Sequence, residues 1–145
     1  MTDTTSQYCT FRVQDLFFGI EVMRVQEVMR PPEMTAVPLA SSVVQGLINL
    51  RGQIVTALDL RRRLQLPERD DDAEPMNVVV RRADGLIALL VDEIGDVLEV
   101  TEGSYEPPPA TLAGVTRDLV SGVHKLDERL LLVLDTERAI GGPVA

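Results

Sequence analysis

A chain of 145 residues has room for one ordinary domain or for two very small subdomains sharing a core, and 45% hydrophobic against 26% charged residues marks it as folded. With no Trp and only three Phe and two Tyr, the core must be aliphatic, and its Val and Ile content leans toward strands. A net charge of −9 disfavours nucleic acid and anionic lipid as partners, no apolar run approaches the ~20 residues of a membrane span, and the polar Met1 to Gln7 is no signal peptide, so a cytoplasmic protein is expected.

The apolar pattern is mostly of period two, broken by turn residues, and no long stretch carries a helical stripe. Cys9 to Val13 and Leu16 to Val22 flank Gln14-Asp15 as a first hairpin. Cys9, the single cysteine, alternates there with Phe11 and Val13 and is expected on the buried face. Gly46 to Leu50 and Gln53 to Leu58 close around Arg51-Gly52, where glycine supplies the positive φ of a tight turn. Asp59 follows as a helix cap, placing one or two helical turns before Leu66, and Arg61 to Arg63 there reads as a solvated face. Residues 67–75, charged and bounded by Pro67 and Pro75, form an exposed acidic connector.

Beyond the connector, Met76 to Arg82 and Leu86 to Val91 flank an Asp-Gly turn, Pro107 to Pro109 marks a loop, and Leu119 to Leu126 pairs with Arg129 to Leu134. Asp135 again precedes a short helical stretch ending at Ile140. The two parts repeat one another. Val44 to Asp59 aligns without gaps on Val120 to Asp135, sharing Val44/Val120, Gly46/Gly122, Leu50/Leu126, Leu58/Leu134 and Asp59/Asp135, and Gly19 to Val28 tracks Ala88 to Val97. A duplicated β module, with approximate halves 14–66 and 76–134 and terminal segments free to cross between them, accounts for the pattern.

Catalytic apparatus is not visible. His124 is the only histidine that could activate a nucleophile, and it aligns with Ile48 of the repeat, as a strand residue of partial burial would. The single lysine, Lys125, follows no phosphate-binding glycine loop, and one Cys plus one His cannot make a structural zinc site. Asp92, Glu93, Asp96 and Glu99 cluster, yet their spacing fits no EF-hand and reads as the solvent side of a strand. No enzyme, cofactor or metal is expected.

The block Gly46-Leu47-Ile48-Asn49-Leu50-Arg51-Gly52-Gln53-Ile54-Val55, followed by Leu58-Asp59-Leu60-Arg61, resembles the signature of the CheW family. Phe18-Gly19-Ile20, Val25-Gln26-Glu27-Val28, Val91-Asp92, Asp96-Val97 and Gly122 are similar to that family in order and spacing, so the resemblance covers residues 7–140. It implies an all-β fold of two SH3-like five-stranded barrels sharing a hydrophobic interface, with short helical turns. It also implies a scaffold joining the cytoplasmic signalling tip of chemoreceptors to the regulatory domain of a CheA-type histidine kinase, or an adaptor of a different chemosensory output such as gliding or pili. The same resemblance carries receptor binding onto Val25, Glu27, Gly46, Arg51, Ile94, Val97 and Gly122, and leaves the kinase contact unassigned. Arg51 is either a partner contact or the holder of its own hairpin through an acidic residue of the same chain. Without phosphotransfer, ATPase or receiver segments, the chain resembles a free-standing coupling protein.

Overall fold

The computed structural model describes residues 4–70, 72–83 and 85–141. Among the described residues eleven strands are arranged in two sheets, with three short helices. Strands β1 (Thr5–Val13), β2 (Leu16–Glu21), β8 (Glu93–Thr101), β9 (Tyr105–Glu106), β10 (Val120–Lys125) and β11 (Leu130–Leu134) form a six-stranded sheet in the order β8-β1-β2-β11-β10-β9. Strands β3 (Val25–Met29), β4 (Val44–Leu50), β5 (Gln53–Asp59), β6 (Met76–Arg82) and β7 (Gly85–Val91) form a five-stranded sheet in the order β3-β6-β7-β5-β4.

Both sheets close on themselves. In the larger, β8 runs through a single 3-10 turn, Glu102–Ser104, directly into β9 at the far edge. In the smaller, the chain leaving β3 returns so that Thr35 and Leu47 exchange backbone hydrogen bonds of 2.9 and 2.8 Å across β4. The sixth strand is thus the two-residue counterpart of a single bridge, and closure removes the open edges that a free sheet exposes.

The internal repeat is a structural repeat, and its copies interlock. Both trailing hairpins carry a bulge one step in from their start, between Val44 and Gly46 and between Val120 and Gly122. Strands β2 and β7, equivalent in the repeat, each join the trailing hairpin of the other copy in parallel: Thr56 and Ala57 lie opposite Ile87 and Ala88, as Leu132 and Val133 lie opposite Phe18 and Gly19. These are the same positions of the repeat, exchanged reciprocally.

Alternation along the strands separates three clusters. Val79, Ala88, Ile48 and Val55 pack within the five-stranded sheet, and Tyr8, Phe17, Val100 and Leu131 within the six-stranded one. Their neighbours in sequence, including Phe18, Ile20, Val78, Val80, Ile87, Leu89, Leu132 and Leu134, join one large cluster shared by both sheets. Helices α1 (Leu60–Arg63) and α3 (Thr136–Ile140) close the trailing hairpins and bury Leu60, Ala139 and Ile140 in that same cluster. Asp59 and Asp135 cap them as the sequence predicts, accepting from the backbone N–H of Arg61 and Arg138 at 2.9 and 3.1 Å.

Several expectations are corrected. Residues Gly114–Leu119 form helix α2, so Leu119 is helical and the strand starts at Val120. That helix begins at Ala113 with no side-chain cap, which removes the usual sequence signal of a helix start. Cys9 is only half-buried and belongs to none of the three clusters, because a bulge at Thr10 shifts the register between Cys9 and Phe11. Tyr8 and Thr10 are buried before the shift and Phe11 and Val13 after it. His124 is 1% exposed and not partly buried as expected.

Candidate functional site

The Asn49-Leu50-Arg51-Gly52 block makes the tip of the β4–β5 hairpin. Arg51 and Gly52 both take positive φ, 52° and 88°, as a two-residue turn matched to strand twist requires. Asn49 locks the turn by accepting the Gly52 N–H through Oδ1 at 2.8 Å, and Leu50 anchors it in the five-stranded sheet's cluster. Arginine is an uncommon occupant of the left-handed region, which Gln14, Leu39 and Gln65 also occupy in this structure.

That head group lies along Glu27 of β3. Arg51 Nη1 and Nη2 donate to the two carboxylate oxygens at 2.5 and 3.0 Å, a fork-on-fork pair that ties the two outermost strands of the five-stranded sheet. The hydrogen bond from Arg51 holds the Glu27 carboxyl below its usual value, its partial desolvation working the other way. The Arg51 side chain is still 72% exposed, so the rest of its donor fork faces solvent. The intrachain role and the exposed donor surface therefore coexist on one guanidinium.

The other residues carried over by resemblance fall into the two copies of the repeat. Val25 on β3 and Ile94 on β8 are half-buried and pack against the same shared cluster from opposite sheets. Val97 on β8 is 56% exposed. Gly46 and Gly122 present no side chain because a strand crosses at contact distance: a Cβ on Gly46 would sit 2.8 Å from the Thr35 carbonyl oxygen, and one on Gly122 would overlap the Tyr105 ring. The structure joins Arg51 to Glu27 directly, places Val25 and Ile94 on one cluster, and leaves the two glycines acting through Thr35 and Tyr105, which the sequence did not single out.

Two groups escaped the sequence reading. Asp92, expected on a solvent face, accepts from Arg61 Nε at 2.9 Å, Arg69 Nε at 2.7 Å and the Gln14 backbone N–H at 2.6 Å. Arg69 also donates to the cap residue Asp59 at 2.9 Å and to the Leu90 carbonyl at 3.1 Å, so the acidic connector is pinned by its arginine. Burial raises the Asp92 carboxyl, but the Arg61 and Gln14 hydrogen bonds and the charges of Arg69 and Arg61 outweigh it and leave it below its ordinary value. Nor is Arg61 to Arg63 a solvated face. Arg62 reaches Glu68 and the Ser42 carbonyl, and Arg63 crosses to the last carbonyls of α3, Arg138 and Ala139, both at 2.9 Å. The only hint of this in the sequence was the position of Arg69 as a lone cation amid carboxylates.

His124 Nδ1 lies 2.8 Å from Ser104 Oγ, between the rings of Tyr8 and Tyr105. The Ser104 hydroxyl also lies 2.8 Å from the Thr101 carbonyl, and burial lowers the imidazole pKa against the raising effect of Glu102. Among the described residues no group of three His, Cys, Asp or Glu side chains is placed to hold a metal ion, and no helix is long and apolar enough to cross a membrane.

Comparison with known proteins matches these features. A family model described as a CheW-like domain spans residues 7–142. A probable chemotaxis protein CheW of Rhizobium etli is 30% identical, covering 88% of this chain and 82% of its own length. The chemotaxis protein CheW of Bacillus subtilis is 29% identical, covering 94% and 88% respectively. The crystal structure of the scaffolding protein TtCheW from Thermoanaerobacter tengcongensis superposes with a TM-score of 0.87 at 24% identity, covering 98% of both chains, and thus shares the fold. With two interlocked, closed β-sheets and the Asn-Leu-Arg-Gly hairpin at the tip of β4 and β5, this chain belongs to the CheW-like domain family.

Proposed function

We propose that this chain is a cytoplasmic coupling protein that holds the helical signalling tip of chemoreceptors on one surface and the regulatory domain of a CheA-type histidine kinase on another. The observation that carries the reading is the Arg51–Glu27 pair. A hairpin tip presents a guanidinium, and a carboxylate from the opposite edge strand fixes its plane while most of it stays in solvent. A pre-oriented fork of N–H donors suits the carboxylates of a helical receptor tip, and little side-chain entropy remains to be lost on binding. By the family resemblance we assign Val25, Glu27 and Gly46 from one copy of the repeat and Ile94, Val97 and Gly122 from the other to the receptor-binding set with Arg51.

The coupling itself needs no chemistry on this chain. Receptor state reaches the kinase as a difference in how well each conformation of the assembly fits the scaffold. Titration of a receptor tip and of a kinase regulatory domain, against wild type and Arg51→Ala, tests this. Arg51→Ala is expected to weaken the receptor tip about tenfold or more while kinase binding and the melting temperature stay close to wild type. Equal binding of the tip by both proteins would refute the assignment of Arg51, and failure of both partners to bind would refute the coupling role.

A further inference from the structure

A cavity of about 570 Å³ opens where the three short helices meet, and three of its lining side chains are Arg63, Arg117 and Arg138 against a single acidic one, Asp118. Each arginine comes from a different helix, α1, α2 and α3. On a chain of net charge −9 this is a local reversal of sign. Two of the three are held by neutral acceptors. Arg63 donates to the carbonyls of Ala139 and Arg138, and Arg117 to those of Pro109 and Leu112 at 2.7 and 3.2 Å. Among the described residues neither forms an ion pair, so each charge is fixed in place and left uncompensated, with further N–H donors to spare. Arg138 is weakly engaged, its Nε lying 3.5 Å from Asp135, and it is largely exposed.

We propose that this cavity is a docking point for an acidic segment of a partner protein. Spread over three helices around an opening far larger than one oxyanion, the guanidiniums suit several carboxylates in succession better than a single phosphate. Beneath them Leu119 and Val120 are buried at 1%, so the guanidiniums, and not these side chains, carry the recognition. Because carbonyls already fix Arg63 and Arg117, binding orders few side chains. The preference for a protein over a metabolite rests on the coupling role proposed above; the charge pattern does not.

The test is fluorescence anisotropy of a fluorescein-labelled peptide of alternating Glu and Ala, with inorganic phosphate as the second probe. Arg138→Gln is expected to weaken the peptide roughly threefold to fivefold, and Arg117→Gln with Arg138→Gln by more, with affinity falling as salt rises. Asp118→Asn is expected to tighten it about twofold, a sign that damage to the fold cannot produce. Arg30→Gln, outside the cavity, is expected to leave it unchanged. Absence of peptide binding, equal weakening by Arg30→Gln, or phosphate binding as tightly as the peptide would each overturn the proposal. None of these outcomes touches the Arg51 titration, so the two readings fail separately.

Discussion

Gly46 and Gly122 occupy the same position of the repeat, sit after the same bulge and differ in what crosses them. Over Gly46 it is backbone, the Thr35 carbonyl, held by two hydrogen bonds to Leu47. Over Gly122 it is the Tyr105 ring, the end of a side chain that is 44% exposed and held by a hydroxyl hydrogen bond to Ser121 and an edge contact with His124, not by backbone. A methyl group at position 46 must therefore move a strand closure, whereas one at 122 must only displace a ring. Gly46→Ala is expected to cost roughly 1–3 kcal/mol and Gly122→Ala clearly less, with Tyr105→Ala absorbing most of the penalty at 122 in a double-mutant cycle. Chemical denaturation of the four variants measures this, and equal costs at the two glycines would refute it. The residue scale is also where sequence reading was least complete. The repeat made both glycines visible, but Thr35 and Tyr105 lie in stretches without periodicity, and the Thr10 bulge that turns Cys9 away from the core leaves no mark in an alternating pattern.

At the scale of elements, the two caps Asp59 and Asp135 were legible because a carboxylate directly after a strand and before a short polar run has few other local uses. Their weights differ for a reason that the sequence conceals. Asp135 is partly exposed and serves its helix and Arg138. Asp59 is 2% exposed and also receives the largely buried Arg69 of the connector. Asp135→Ala should cost about 1 kcal/mol, and Asp59→Ala roughly 2–4 kcal/mol because it strips a partner from a buried cation. Equal losses in urea would show that the Arg69 contact carries no stability. Asp92 extends the argument to pH. Its carboxyl titrates below the ordinary 3.8 in the fold, so the folded state favours the ionised form. The resulting stabilisation is complete above that ordinary value and disappears as pH falls through the folded one. Wild type is expected to exceed Asp92→Asn in stability at pH 7, and the gap to close on acidification below about 4; a gap independent of pH would sink the assignment. Helix α2 shows the opposite case of legibility, since an uncapped start at Ala113 and a glycine at its first position hide a helix behind a proline loop.

For the whole molecule the decisive feature is the reciprocal exchange of β2 onto β11 and β7 onto β5. Duplication was readable from aligned hairpins, but the partner of each parallel strand was not. Parallel pairing joins segments distant in sequence, and the same apolar alternation would suit pairing within a copy. The exchange threads both sheets through one cluster, which takes Phe11, Phe18 and Leu132 from the six-stranded sheet and Leu58, Val78 and Leu89 from the five-stranded one. Neither sheet can release its share of that cluster without opening the other, so they should unfold as one unit. The chain supplies a convenient probe: it lacks Trp, and both of its tyrosines, Tyr8 and Tyr105, belong to the six-stranded sheet. Leu89→Ala empties a fully buried site on β7, in the five-stranded sheet, at a cost of roughly 2–5 kcal/mol. Tyrosine fluorescence and far-ultraviolet circular dichroism should both report this loss with coincident midpoints, although the fluorophores and the substitution lie in different sheets. A tyrosine transition left in place while the dichroism shifts would mean that the sheets fold independently and that the shared cluster couples them weakly.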